Sequence, residues 1–202
     1  PEITIEDAAL GVIDNSAILA SWSTDGIVAV MAELGRRVPF LPISKSIEGS
    51  SYVSMWLRKD NLRRCYESAL GSPNPLDGWV DKGTNKVLAQ PRGLVCHWVA
   101  SNVPTLGMFS WALAAMAKNP SLVKVSEQQA EFLVALLKEL VNVKDVLGDK
   151  VLNGKDLAAC VSVVTFEGAD ERLSSSLSQV ADVKVVWGGQ AALAAITALP
   201  QR

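Results

Sequence analysis

From residue 93 onward the chain alternates between two textures, and this alternation limits its fold more than any other feature. Gly93 to Ala100 (GLVCHWVA), Leu122 to Val125, Cys160 to Phe166 and Val183 to Trp187 are short apolar or β-branched runs. Between and after them lie segments of helical period: Thr105 to Ala117, Ser126 to Val141, Ala169 to Gln179 and Gln190 to Leu199. Buried strands that alternate with amphipathic helices predict a parallel sheet covered by helices on both faces. Such a sheet binds ligands beyond the carboxyl ends of its strands. The turns to inspect therefore come after Ala100, Val125, Phe166 and Trp187.

Local chemistry sharpens several boundaries. Pro104 suits a first helical turn because no backbone donor is needed there, and Asn119-Pro120 stops that helix. Ser126 with Gln129 three residues on is a capping-box pattern. The apolar positions Ala130, Leu133, Leu137, Leu140 and Val141 define the expected inward face of the helix that begins there.

The first part of the chain reads as helical. Glu6 to Trp22 and Gly26 to Leu34 carry apolar residues at 3- to 4-residue intervals, and Gly35 is placed as a helix C-cap. Ser51 to Leu70 is a third helical stretch with a break near Lys59 and Asp60. Gly71-Ser-Pro-Asn-Pro75 is a breaker, and Trp79 to Gln90 is a short irregular or β segment. Residues 1–85 are thus a mainly helical segment and 86–202 an α/β domain.

Bulk properties exclude several classes. The 19 basic and 21 acidic residues give a net charge of -2, with no basic excess for nucleic acid. The three cysteines, Cys65, Cys96 and Cys160, form no CxxC pair, so neither a disulfide framework nor a zinc site is expected. They read as reduced thiols of a cytoplasmic protein. The N-terminal residues lack the pattern of a signal peptide. Gly93 to Ala117 is a run of 25 residues without formal charge, but Ser101, Asn102, Pro104 and Thr105 interrupt it, which argues against a membrane span.

The turns carry polar residues with two readings each. Asn102 either caps the next helix or offers its amide to an oxyanion. Lys124 and Glu127, at a strand end and a helix start, are either a surface pair or a grip on ribose hydroxyls. Gly188-Gly189 before the last helix is either a plain turn or a place where phosphate meets backbone N–H groups. The GxGxxG and GxxxxGK[ST] fingerprints are absent from the sequence. His97, the single histidine, neighbours Cys96 on a strand. Adjacent strand residues face opposite sides, so the two make a poor nucleophile–base pair.

Order and spacing add what single motifs lack. Arg92-Gly-Leu-Val-Cys-His-Trp-Val-Ala-Ser-Asn-Val-Pro104 resembles a segment of the acyl-CoA reductases that feed bacterial luciferase, within the aldehyde dehydrogenase superfamily. Leu122-Val-Lys-Val-Ser-Glu127 is similar to the superfamily's "V-x-K-P-S-E" element, with Val125 in place of proline. Val185-Val-Trp-Gly-Gly189 resembles its glycine turn, with Gly189 where many relatives have serine. Residues 88–198 carry the clearest likeness.

The resemblance implies an aldehyde-dehydrogenase-like Rossmann-type fold and NAD(P)H-dependent reduction of a fatty acyl-CoA or other acyl thioester to an aldehyde. It implies Asn102 as oxyanion donor, Lys124, Ser126 and Glu127 around the adenosine ribose, and Gly188 and Gly189 beside the pyrophosphate. It implies NADPH, with NADH as the second candidate, and a homo-oligomer. The family's catalytic cysteine lies well beyond the glycine turn. Here 13 residues come after Gly189, so a fragment without the catalytic domain is expected. The alternative is a non-catalytic interaction or scaffold domain.

Overall fold

The computed structural model describes residues 3–71, 74–148 and 150–202. Four strands, β3 (Val95–Trp98), β4 (Ser121–Val125), β7 (Val161–Thr165) and β8 (Val183–Val186), form one sheet in the order β7-β4-β3-β8. Every pairing in it is parallel. In order of appearance the strands are therefore arranged third, second, first, fourth. The chain reverses its winding direction between β3 and β8, which makes that gap a topological switch point. The register places Trp98 opposite both Lys124 and Val186. The turns after these three strands leave the sheet at one level.

The crossover helices are α6 (Leu106–Met116), α7 (Glu127–Val141) and α9 (Glu171–Val180), and α10 (Gln190–Ala198) comes after β8. Helix α6 spans only 11 residues, and no single described helix is long and apolar enough to cross a membrane. The helix begins at Leu106, so Pro104 lies in the turn before it rather than in its first helical turn.

Sheet alternation sends successive residues to two cores. Val99, Val123 and Val125 pack with Met108, Trp111, Phe132 and Leu136 on one face. Leu94, Cys96, Trp98 and Leu122 pack with Ala9, Val12 and Leu177 on the other. Trp111 and Phe132 are fully buried, and truncating such a side chain to Ala costs about 3–5 kcal/mol.

The N-terminal segment is helical as expected, with different boundaries. The Glu6–Trp22 stretch is two helices, α1 (Ile5–Asp14) and α2 (Ser16–Ser21), separated at Asn15, whose amide donates to the Gly11 carbonyl. Helix α3 (Thr24–Arg37) runs through Gly35 instead of ending there. A Cβ on Gly35 would sit 2.7 Å from the Leu57 Cβ, so this glycine permits close helix contact and is not a cap. The break near Lys59 separates α4 (Ser50–Trp56) from α5 (Lys59–Leu70). Ser72 and Pro73 of the breaker lie outside the described residues. Trp79–Gln90 contains an antiparallel pair, β1 (Val80–Lys82) and β2 (Asn85–Val87). Leu19, Ile27, Met31 and Leu34 share their core with Trp111 and Phe132, so helical segment and sheet are packed on each other.

Two further departures concern α7 and the segment after it. The buried residues of α7 are Gln129, Phe132, Leu133, Leu136 and Leu140, while Val141 is exposed. The inward face is thus rotated from the expected one, because Phe132 and Leu136 point to the core. After α7 come a hairpin, β5 (Lys144–Leu147) with β6 (Lys150–Asn153), and the short helix α8 (Gly154–Ala158).

Candidate functional site

The β3–α6 turn carries Asn102, which is exposed. It does not cap the helix: the N-cap position is Thr105, without a side-chain cap bond. Its turn is held from below by Gln129. That side chain is buried, and its Nε2 donates to the Ala100 carbonyl at 2.6 Å and to the Val103 carbonyl at 2.9 Å. Its Oε1 accepts from the Ser126 backbone N–H at 3.2 Å. The two carbonyls can only accept and the N–H can only donate, so the amide orientation is fixed by chemistry.

The β4–α7 turn carries Lys124, Ser126 and Glu127. Ser126 is the N-cap, its hydroxyl accepting from the Gln129 N–H at 3.4 Å, and both halves of the capping box form. Glu127 is exposed in the first turn of α7, where the helix dipole favours a carboxylate. Lys124 is partly buried at the strand end, its Nζ 5.3 Å from the centre of the Phe166 ring. Burial holds this ammonium below its ordinary pKa, while the Glu167 carboxylate pulls the other way.

The β8–α10 turn is Trp187-Gly188-Gly189. Gly189 is the N-cap of α10 and offers no side chain to its first N–H groups. A Cβ on Gly189 would meet nothing within 4 Å, whereas one on Gly188 would come to 3.0 Å from the Ala192 Cβ. The end of α10 is fastened by Lys184, whose Nζ donates to the Ile196 and Leu199 carbonyls at 3.2 and 2.7 Å.

A buried polar chain runs beneath the crevice. The Trp187 indole N–H donates to the Ser110 Oγ at 2.8 Å. Ser110 Oγ lies 2.6 Å from His97 Nδ1, and Ser121 Oγ lies 3.2 Å from His97 Nε2. Burial pushes the His97 pKa down to about 4. The ring is neutral near pH 7 and links β3, α6 and β4. Its neighbour Cys96 faces the opposite core, so the two form no nucleophile–base pair. Cys96 and Cys160 are buried, and desolvation raises their thiol pKa values to about 12 and about 11. An attacking thiol needs the reverse, a depressed pKa and access.

The structure therefore brings Asn102, Lys124, Ser126, Glu127, Gly188 and Gly189 to one edge of the sheet, around the switch point. The residues that sequence reasoning passed over are the supports: Gln129, seen only as a cap partner, and Ser110, Ser121, Phe166 and Trp187. The capping-box pattern was a partial signal for Gln129. The others depend on tertiary proximity. A cleft of about 620 Å³ lies on the β7 side, lined by Thr4, Ala8, Thr165, Phe166 and Arg172 among others.

The parallel sheet with helices on both faces is an aldehyde-dehydrogenase-like fold. Two solved structures share it: gamma-glutamyl phosphate reductase from Thermotoga maritima (TM-score 0.61, 12% identity, 97% of this chain and 52% of that one) and proline utilization A (TM-score 0.61, 18% identity, 95% and 20%). The acyl-CoA reductase (LuxC) family model matches residues 41–202, and the chain belongs to that family. Among curated relatives, the long-chain acyl-protein thioester reductase of Aliivibrio fischeri is 33% identical over 71% of this chain and 29% of its own length. That of Photobacterium phosphoreum is 28% identical over 80% and 32%. The chain thus spans about a third of the relatives it matches. The family match also reaches back over residues 41–85 of the helical segment, which hold α4 and α5, beyond the 88–198 region of clearest likeness.

Proposed function

We propose that this chain is the cofactor-holding part of a reductase that converts a long-chain acyl thioester to an aldehyde with NADPH, NADH being the second candidate. The observation that carries the proposal is the common level of three turns around one switch point. Bound there, a reduced nicotinamide supplies the hydride. The residues present fit such a cofactor. Gly189 leaves open space beside the unpaired N–H groups of α10, as a pyrophosphate requires. Lys124 and Glu127 stand at the next strand end but one, with chemistry suited to ribose hydroxyls. The Lys124 charge offsets the repulsion that Glu127 would exert on a 2′-phosphate. Ser126 closes the same turn, with its hydroxyl engaged as the cap.

Asn102 has no capping duty and faces solvent, so its amide is free to donate to an acyl oxygen as negative charge develops. Cys96 and Cys160 are buried and Cys65 lies on α5 rather than at the strand ends, so none of the three is placed to take the acyl group. The nucleophile is assigned to a part of the protein outside this stretch, consistent with relatives about three times longer. The remaining substrate contacts and assembly into oligomers are assigned there as well.

The test is turnover by the complete protein with a long-chain acyl-CoA, monitored as loss of nicotinamide absorbance. Wild type should consume NADPH, and Asn102→Ala should lower the rate by about 100-fold or more, the usual effect of removing one oxyanion donor. Equal rates in the two proteins would remove Asn102 from the chemistry. An absence of turnover with tight NADPH binding would favour a non-catalytic module.

A further inference from the structure

We propose that Gln129 is the positioning residue of the oxyanion donor: its buried amide ties the Asn102 turn to the start of α7. This inference rests on the role given to Asn102 above and adds the residue through which that role is set.

Three hydrogen bonds carry it. The Gln129 Nε2 donates to the carbonyls of Ala100 and Val103, which bracket Asn102 on both sides along the chain. Its Oε1 accepts from the Ser126 N–H, in the turn that holds Lys124 and Glu127. A capping box needs only that last bond and the Ser126 hydroxyl. A glutamate would make it equally well. The two bonds to the neighbouring turn need an amide, which is what a carboxylate cannot supply. The side chain is 2% exposed, so water does not replace these donors easily. Exposed backbone at residues 101–103 has no helix or strand of its own. Gln129 is therefore what fixes Asn102 relative to the cofactor turn, and a displacement of about 1 Å at such a group costs on the order of 100-fold in rate.

Substitution separates the two functions of the side chain. Gln129→Glu keeps the acceptor for Ser126 and places a carboxylate against two carbonyls. Gln129→Met keeps volume and removes every polar bond. In the complete protein, each variant should lower kcat by about 10- to 100-fold. In Gln129→Glu, NADPH affinity read by fluorescence titration should stay within about twofold, since the bond from the Ser126 N–H is kept. The double variant Asn102→Ala/Gln129→Glu should be no slower than Asn102→Ala alone, because a positioning residue has nothing left to position. Additive losses in the double variant would overturn the proposal, as would loss of NADPH binding in step with kcat in Gln129→Glu. If Asn102→Ala alone has no effect, the Asn102 role fails, and this proposal with it. If Asn102→Ala is slow while both Gln129 variants are fast, only the proposal fails. Should both variants fail to fold, hydrogen exchange on the wild type decides. The Gln129 side-chain amide protons should be protected, and exchange at the rate of an exposed glutamine would overturn the assignment.

Discussion

The β3–α6 turn and the β8–α10 turn flank the same crevice and are built in opposite ways. The first is bound from beneath by a buried amide that takes up two of its carbonyls. The second is bare glycine, anchored through the Trp187 indole one residue earlier. One turn fixes a side chain in place, and the other leaves backbone N–H groups and empty space. The contrast matches two tasks. A group that donates to a developing charge must be held rigidly. A surface that receives a phosphate must above all stay unobstructed.

Obstructing the bare turn should give a large and selective effect. Gly189 sits at φ -74° with open space around an added Cβ, so Gly189→Val should fold normally. It should nonetheless weaken NADPH binding by about 30-fold or more, roughly 2 kcal/mol, measured by fluorescence titration beside a thermal melt. Unchanged affinity would show that the glycine turn does not meet the cofactor.

Acid should strike the polar chain below the crevice. The folded pKa of His97 lies at about 4, below its ordinary 6.5. Between these values the unfolded chain binds the proton more readily, so stability is complete above about pH 6.5 and falls as pH drops toward 4. The loss is on the order of 3 kcal/mol by linkage. Urea midpoints measured from pH 7 to 4.5 should fall, and more steeply than in a His97→Gln variant. Parallel curves would mean that His97 is not buried neutral.

A smaller effect is expected from Ser110→Ala, which leaves the Trp187 indole N–H and the His97 ring without a shared partner. Stability should drop by about 1–3 kcal/mol, and NADPH affinity should fall modestly as the glycine turn loosens. If Ser110→Ala changes stability alone, the two turns are independent. Smallest of all, Lys124→Ala should weaken NADPH binding by about 5- to 10-fold, about 1 kcal/mol for a partly exposed charge contact. Comparing NADPH with NADH in that variant tells whether Lys124 reads the 2′-phosphate.

The two turns also differ in how far sequence could reveal them. The four sheet strands were legible because β3 and β4 are short, mainly apolar runs buried on both faces, and the helix between them is closed by Asn119-Pro120. The β5–β6 hairpin was not, because half of its strand residues are exposed and Lys144, Asp145 and Lys150 break any apolar pattern. The rotated face of α7 came from reading period without knowing where Phe132 and Leu136 would point. Gly35 had the composition of a cap and the role of a spacer, a distinction that only the approach of Leu57 makes visible. At the site, Asn102, Lys124 and the glycine pair stood out by their place after strands. Gln129, Ser110 and Trp187 act across 13 to 77 positions of sequence, and no local pattern encodes that.

Occupation of the switch-point edge of this sheet by a reduced nicotinamide dinucleotide is open to direct measurement. NADPH titration into isotopically labelled protein, read through amide chemical shifts, addresses it directly. Saturable shifts concentrated at residues 100–103, 124–129 and 187–191 are expected. Shifts confined to the cleft beside Thr4 and Arg172, or no saturable shifts in a folded sample with either NADPH or NADH, would contradict it.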